Sequence, residues 1–268
     1  MPVDYHLHTK MCGHATGEIE EYFASALRRG LVEVGFSDHL PLYFMPPDKI
    51  MPGYAMLVDE IPAYVGAVRR LQKKSGPVRV RLGVEADFVP GHESKLSKLL
   101  NSQPFDYVIG SVHFIDGWSF DNQEELDKYS EWDIWKLYEK YFGLVQQAAL
   151  SGFFDIMAHP DLIKKFNFIP ARSLIPLYED TARVFQRAGV CVEVNTAGLR
   201  YPVREIYPSR DFLKIAFRYG LPVTLGSDAH HPDQVGAGFA QAVALIKEVG
   251  YEEITLFDQR NRISKKIY

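Results

Sequence analysis

The chain has 268 residues, of which 47 % are hydrophobic and 24 % are charged, a balance typical of a folded globular protein. Its 30 basic and 34 acidic residues give a net charge of −4, which argues against a dedicated nucleic-acid or anionic-membrane surface. The two cysteines cannot build a disulfide framework, and the sequence contains neither a signal-peptide core nor an apolar run as long as a membrane helix. We therefore expect a soluble cytoplasmic protein without nucleic-acid or membrane partners; its oligomeric state stays open.

Short apolar or β-branched segments alternate along the chain with segments of helical periodicity. The predicted strands are residues 3–7, 31–37, 78–86, 105–113, 153–159, 190–196 and 221–227. The predicted helices are residues 17–30, 56–74, 92–101, 124–150, 173–188, 208–219 and 233–249. Repeated strand–helix units without linkers predict an α/β fold with parallel strands, organised as a single domain over residues 1–268. A closed or nearly closed barrel of seven β/α units fits best, with an open doubly wound sheet as the alternative.

Two connections between predicted elements are unusually long. Residues 40–56 and 114–132 follow the second and fourth strands and are rich in aromatic and turn-forming residues. Long loops on an α/β barrel often carry function, but these two could also simply cover the barrel mouth. Their aromatic side chains could accordingly stack on a substrate or pack as a lid. These side chains are Tyr43, Phe44, Phe114 and Trp118.

Six histidines lie at or just beyond the carboxyl end of a predicted strand. They are His6, His8, His39, His113, His159 and His230. Glu85 and Asp228 occupy the equivalent positions of the third and seventh strands. Because the carboxyl ends of all barrel strands converge on one face, we expect these side chains to lie close together. The two-residue spacing of His6 and His8 also points both imidazoles to the same side of their strand.

The combination of imidazole and carboxylate ligands suits zinc, iron or manganese better than magnesium or calcium. With His14 included, nine candidate ligands are too many for one tetrahedral ion and would serve two or three. Three divalent ions would bring more positive charge than two carboxylates neutralise. Such a site attracts a dianionic phosphate ester and lowers the pKa of bound water, so the residues predict metal-assisted phosphate ester hydrolysis.

The motifs around these residues resemble those of the PHP (polymerase and histidinol phosphatase) family. They are HLHT at 6–9, SDH at 37–39, GVEADF at 83–88, GSVH at 110–113, AHPD at 158–161 and LGSDAH at 225–230. Within the family, EVNTAGLR at 193–200 and the loop after SDHLP are most similar to the histidinol-phosphate phosphatase branch. The resemblance spans nearly the whole chain.

This resemblance implies a distorted (β/α)7 barrel that holds three metal ions. The implied ligands are His6, His8, Glu85 and Asp228 for the first ion, Glu85, His113 and His159 for the second, and His14, His39 and His230 for the third. The implied reaction, a step of histidine biosynthesis, converts L-histidinol phosphate to L-histidinol and phosphate. A metal-bound hydroxide held by the cluster would attack, with Glu85, His113 and Asp228 as the catalytic residues.

Residues outside the metal ligands give weaker signals. Arg200 is the first candidate for binding phosphate because a guanidinium can contact phosphate oxygens in bidentate fashion, and Lys164 and Lys165 are rivals. Each of the three could equally be a solvated surface charge. Asn195, at the end of the sixth strand, could orient water or substrate, or could simply cap a turn.

Other classes remain open from the sequence. Amidohydrolase-type metal enzymes also begin with an HxH pair on the first barrel strand and end with a catalytic aspartate. A nuclease or polymerase-editing domain of the PHP type would need a track for nucleic acid, which the net charge disfavours. A non-enzymatic metal-binding module is disfavoured by the open coordination that the charge surplus implies.

Overall fold

The computed structural model describes residues 3–46, 49–50, 53–74 and 76–267. The strands are β1 (Val3–Leu7), β2 (Glu33–Phe36), β3 (Arg79–Asp87), β4 (Tyr107–Ser111), β5 (Phe114–Ile115), β6 (Trp118–Ser119), β7 (Ile156–Met157), β8 (Cys191–Asn195), β9 (Val223–Gly226), β10 (Glu253–Asp258) and β11 (Asn261–Lys266). The α-helices are α1 (Ile19–Arg28), α2 (Ile61–Lys74), α3 (Glu93–Leu100), α4 (Ile134–Leu150), α5 (Ile175–Ala188), α6 (Arg210–Arg218) and α7 (Phe239–Val249).

Within the described residues, seven parallel strands form one sheet in the order β1-β2-β3-β4-β7-β8-β9. The two edge strands meet just beyond their carboxyl ends. There the His8 N–H donates to Ala229 O at 2.9 Å, and the Ala229 N–H donates to His6 O at 3.2 Å. The predicted, nearly closed (β/α)7 barrel is therefore confirmed, and the open doubly wound alternative is wrong.

None of the helices in the described ranges has the length and apolar character needed to cross a membrane.

Several predicted elements are shorter in the structure than the sequence indicates, and three of them show why. In the predicted helix 124–150, the first residues form 3-10 turns and α4 begins only after Asp133, whose carboxylate accepts the Lys136 N–H. In the predicted helix 233–249, α7 begins at residue 239 because Gly236 and Gly238 have φ angles of 63° and 78°. Within the predicted strand 153–159, only the two residues of β7 (Ile156–Met157) form a strand.

A C-terminal hairpin of β10 and β11, which the sequence analysis did not predict, closes the barrel end opposite the histidines. Its turn contacts residues that directly precede barrel strands: the N–H groups of Gln259 and Arg260 donate to Asp106, before β4. Arg260 also forms an ion pair with Asp155, before β7. Phe257 of β10 is fully buried beneath the barrel. The hairpin thus covers the amino ends of the strands, and the carboxyl ends open into the larger of the two described cavities.

Tyr107 fills the barrel interior above this hairpin. Its hydroxyl donates to Tyr5 O at 2.7 Å on the far side of the barrel, and its ring lies against Gly35 and Gly83. A Cβ built on Gly83 would be 2.1 Å from Cζ of Tyr107, far inside van der Waals contact. The two glycines therefore make room for a ring that crosses the barrel.

We predict that Gly83→Ala lowers the free energy of unfolding by about 1–3 kcal/mol, because the added methyl overpacks the interior against Tyr107. Gly143→Ala is the matched control: it lies within α4 with nothing within 4 Å of the added Cβ. Replacing a helical glycine there should stabilise by up to about 1 kcal/mol. Denaturant unfolding of the three proteins tests this, and equal stabilities for both variants would contradict the packing argument.

Candidate metal centre

The carboxylate of Glu85 lies at the centre of the histidine cluster, fully buried on β3. One oxygen, Oε2, is 3.1 Å from His6 Nε2 and 3.4 Å from His8 Nε2. The same oxygen is 3.1 Å from His39 Nδ1, which the loop after β2 supplies. Three imidazoles, located on or just after the neighbouring strands β1 and β2, thus converge on one carboxylate oxygen.

The other Glu85 oxygen, Oε1, faces a second pair of histidines. It lies 3.3 Å from His159 Nε2 and 3.8 Å from His113 Nε2. These histidines follow β4 and β7, on the opposite side of β3 from β1 and β2. Glu85 therefore stands between two groups of imidazoles, as a bridging carboxylate must.

Asp228 completes the inner part of the cluster. Its Oδ1 is 3.3 Å from His8 Nε2 and 3.5 Å from His230 Nδ1. Its backbone φ of 52° is unusual for a residue other than glycine. The Arg200 guanidinium donates to the carbonyls of Ser227 and Asp228, at 2.8 and 2.9 Å, and holds this turn in place. Strained backbone of this kind persists where surrounding contacts over-determine it, and often marks a functional site.

His14 also joins the cluster, on its outer side. Its Nε2 is 2.9 Å from His230 Nε2, and its Nδ1 is 3.0 Å from Gly53 O. The rings of His39 and His230 both lie against His8, with centroids 4.4 and 4.3 Å from it. The structure therefore brings together all nine residues that the sequence analysis named as candidate ligands.

The donor atoms of this cluster fit metal ions. Several buried ones have no hydrogen-bond partner: His6 Nε2, both ring nitrogens of His8, Glu85 Oε1 and His159 Nδ1. Buried polar atoms normally have a hydrogen-bond partner, so several unpartnered ones in one place indicate that a bound group, such as a metal ion, is their partner. Sets such as His6–His8–Glu85, His6–His159–Asp228 and His8–His39–His230 each offer ligand atoms within 4.8 Å of one another. These are metal-binding clusters of histidine and carboxylate.

A layer of carboxylates that the sequence analysis did not assign orients the histidines. Glu193 Oε1 is 2.6 Å from His6 Nδ1, and Glu193 Oε2 accepts the backbone N–H of His159 at 2.9 Å. Asp87 Oδ1 is 3.0 Å from His113 Nδ1. The signal was present in the sequence, because Asp87 follows Glu85 by two residues on the same strand and so faces the same side. Partners of this kind set the tautomer and raise the basicity of a metal-ligating histidine.

Asn195, predicted to orient water or substrate or to cap a turn, contacts two carboxylates and accepts the hydrogen bond of a turn. Its amide nitrogen donates to Glu193 Oε2 at 3.0 Å and lies 3.4 Å from Asp228 Oδ2. Its oxygen accepts the Ala197 N–H at 2.8 Å. Asn195 is fully buried behind the cluster and does not appear among the described residues that line the cavity. It positions carboxylates rather than facing the cavity.

Neighbouring carboxylates favour the protonated form of three imidazoles in the cluster. Burial would lower their pKa values, but the carboxylates raise the pKa of His8 and of His113 to about 10 and that of His6 well above its ordinary value. These imidazoles would release protons on binding metal.

The carboxylates of the cluster and two other imidazoles are in metal-binding protonation states. Burial alone would raise the pKa of Glu85 and of Asp228, but His6 and its neighbours hold both pKa values well below their ordinary range. Burial lowers the pKa of His230 to about 3 and the pKa of His39 well below its usual value. The carboxylates are therefore ionised and these two imidazoles neutral, which are the forms that bind metals.

The cluster opens into a cavity of about 990 Å³. Of the basic residues proposed for phosphate binding, Lys165 lines this cavity, whereas Lys164 and Arg200 are not among the described lining residues. Lys164 is buried in ion pairs with Asp161 at 2.8 Å and Glu205 at 2.6 Å. The geometry therefore favours Lys165 over Lys164 because burial with two acidic partners keeps Lys164 away from the cavity.

The two long loops form the cavity wall, although residues 47, 48, 51 and 52 of the first lie outside the described residues. Phe114 lines the cavity and packs against Phe44 with ring centroids 4.9 Å apart. Tyr43 donates to Asp87 O at 2.7 Å. Trp118 packs edge-on against Tyr129 within the loop and is not among the described lining residues. Of the four predicted aromatics, Phe114 faces the cavity and Trp118 is lid packing.

Comparisons with known proteins agree with this architecture. A family model described as "PHP domain" matches residues 4–197, and one described as "PHP-associated" matches residues 210–244. The chain is 42 % identical over 253 residues to a probable histidinol-phosphatase of Deinococcus radiodurans, covering 94 % of this chain and 95 % of that protein. It is 26 % identical to a histidinol-phosphatase of Bacillus subtilis, covering 88 % and 96 %.

A crystal structure of histidinol phosphate phosphatase from Lactococcus lactis, complexed with zinc, L-histidinol and phosphate, has the same fold. The TM-score is 0.84 at 21 % sequence identity, with 98 % of both chains covered. The fold and the clustered donors define a metal-binding β/α barrel. The chain belongs to the PHP domain family.

We predict that Glu193→Gln weakens metal binding by about 10- to 100-fold, because loss of the charge behind His6 makes that imidazole a poorer and less oriented ligand. Glu252→Gln, at an exposed position, is the matched control and should bind metal as the parent does. Competition with a chromophoric chelator measures both affinities. Unchanged affinity in Glu193→Gln would show that the carboxylate does not support the site.

Proposed function

We propose that this protein is a metal-dependent histidinol-phosphatase that hydrolyses L-histidinol phosphate to L-histidinol and phosphate. The observation that carries the proposal is the Glu85-centred cluster of histidines at the open end of the barrel. Its support is the 42 % identity to a probable histidinol-phosphatase over nearly the whole of both chains. The predicted cytoplasmic location, place in histidine biosynthesis and single-domain organisation over residues 1–268 stay predictions.

The proposed ligand set is the one that the family resemblance implies, with zinc, iron or manganese as the metals. Glu85 would bridge the ion held by His6, His8 and Asp228 to the ion held by His113 and His159, because its two oxygens face these two groups. His14, His39 and His230 would hold a third ion. When bound, the ions would supply the chemistry of lowering the pKa of water and neutralising a phosphate ester.

The protein itself offers no cysteine nucleophile for this reaction. Both Cys12 and Cys191 are fully buried, and burial raises the pKa of the Cys191 thiol to about 12. The chain instead positions its ionised carboxylates, Glu85 and Asp228, among the histidines of the cluster. Asp228 is held by Arg200 and Asn195, and His113 is oriented by Asp87, to which its Nδ1 comes within 3.0 Å. This arrangement suits direct attack by water.

The shape of the cavity supports a small substrate. A volume of about 990 Å³ matches a small-molecule site rather than an open groove for nucleic acid. Asp121 and Glu124 line its wall, and such carboxylates would repel the phosphodiester backbone of a nucleic acid. Lys165 would contact the phosphate group, because it lines the cavity whereas Arg200, the first candidate, and Lys164, the other rival, are not among the described lining residues. A PHP-type nuclease and an amidohydrolase-type enzyme are therefore the less favoured alternatives.

We predict close to three divalent ions per chain in the fully loaded protein and fewer than two in Glu85→Gln, since one carboxylate contacts both groups of histidines. The measurement is elemental analysis after reloading with zinc or manganese and removal of free ions. Glu124→Gln, which removes a charge from the cavity wall outside the cluster, should keep the full content. One ion or fewer in the loaded parent protein would rule out the proposed cluster.

We predict that kcat/KM for L-histidinol phosphate exceeds the value for p-nitrophenyl phosphate and for a sugar phosphate by at least about 100-fold. The reason is that binding energy from the part of the substrate remote from phosphate is used to stabilise the transition state. Chelation should abolish all three activities and added metal should restore them. Near-equal values would contradict histidinol phosphate as the substrate. Activity only on phosphodiesters or cyclic amides would favour the nuclease or amidohydrolase alternative.

A further inference from the structure

Lys165 and Asp121 form an ion pair on the cavity wall, outside the metal cluster. The Lys165 ammonium donates to Asp121 O at 2.8 Å and lies 3.1 Å from Asp121 Oδ2. The two side chains are only 11 % and 21 % exposed, and both line the cavity. Two opposite charges are therefore held together, with little solvent, in the space that a substrate must enter.

The surroundings of the pair keep both groups charged. Burial would raise the pKa of Asp121, but Lys165 and then His113 hold that pKa below its ordinary value. Burial would lower the pKa of Lys165, but Asp121 raises it. The Lys165 ammonium also lies 4.3 Å from the ring centroid of Tyr201, a distance at which a cation interacts favourably with an aromatic face. The carboxylate of Asp121 also accepts a hydrogen bond from the Ser119 hydroxyl at 3.3 Å.

We propose that Asp121 binds the ammonium group of the substrate and that Lys165 is its exchangeable partner. The phosphate dianion draws Lys165 towards the metal cluster, and the freed Asp121 carboxylate pairs with the substrate amine. This proposal rests on the proposed function and deepens it, because it names the class of substrate that the cavity selects: phosphomonoesters that carry an ammonium group.

The selection follows from charge balance. With an aminoalkyl phosphate, one ion pair within the protein is replaced by two between protein and substrate, and every buried charge keeps a partner. With a phosphomonoester that lacks a cation, movement of Lys165 leaves the Asp121 carboxylate buried and unpaired. Leaving one buried charge without its partner is strongly unfavourable. A site built around a polar partner thereby rejects an analogue that lacks it.

The test compares two substrates that differ only in the amine. They are L-histidinol phosphate and its deamino analogue, 3-(imidazol-4-yl)propyl phosphate, assayed with the metal-loaded enzyme. Asp121→Asn should lower kcat/KM for L-histidinol phosphate by about 10- to 100-fold, mainly through KM, because the lost contact exists in ground and transition states alike. The deamino analogue should react as well as before or better, since no carboxylate is left unpaired.

Two further variants separate recognition from a structural role. Asp121→Glu keeps the charge and should retain most of the preference for the amine. Glu124→Gln removes the neighbouring cavity carboxylate and should leave the preference unchanged. Calorimetric titration of L-histidinol into each metal-loaded protein saturated with inorganic phosphate gives a second readout, because the phosphate frees Asp121; the affinity for L-histidinol should weaken only in Asp121→Asn.

If Asp121→Asn lowered kcat/KM equally for both substrates, the proposal would be overturned, and the Asp121–Lys165 ion pair would have only a structural role in the loop. Loss of the amine preference in Glu124→Gln instead would also overturn it. Failure of the proposed function is recognisable separately, because the parent enzyme would then not prefer L-histidinol phosphate over p-nitrophenyl phosphate. In that case 2-aminoethyl phosphate and ethyl phosphate still provide a pair differing in the amine, and Asp121→Asn should abolish discrimination between them.

Discussion

The burial of one carboxylate, Glu85, is the constraint on which the rest of this site depends. An ionised carboxylate removed from water is costly unless positive or hydrogen-bonding groups surround it. Here five imidazoles lie within 3.8 Å of its two oxygens. They come from the loops and strands on both sides of β3, so the barrel must close before the carboxylate is compensated. The metal centre therefore forms only when the barrel is folded.

The same constraint extends outward from the cluster. Each imidazole that turns one nitrogen towards the centre has a second nitrogen to satisfy, and Glu193 and Asp87 do this for His6 and His113. Asn195 and Arg200 then hold the acidic groups and the turn at Asp228. The result is a rigid rim in which residues behind the cluster define the positions of those that face it.

The two ends of the barrel are built for different purposes. At the amino end, Tyr5, Tyr107 and Phe257 pack tightly and the β10–β11 hairpin covers the strands. At the carboxyl end, long loops leave a cavity whose charged wall is separate from the metal cluster. The residues that stabilise the barrel thus lie at one end and the residues of the site at the other. The Asp121–Lys165 pair can therefore lie in the cavity without disturbing the packed interior.

The sequence by itself determined the alternation of strands and helices and the nine clustered donors, because strand periodicity and strand ends are local features that converge in any such barrel. It did not determine which basic residue reaches the cavity: Lys164 and Lys165 are adjacent, and only packing against Asp161 and Glu205 buries the first. Nor did it predict the C-terminal hairpin or the roles of Glu193 and Asp121. Those depend on distant partners: His6 is 187 residues from Glu193, and Lys165 is 44 residues from Asp121. Contacts of that range are decided by tertiary structure, since no local pattern encodes the partner.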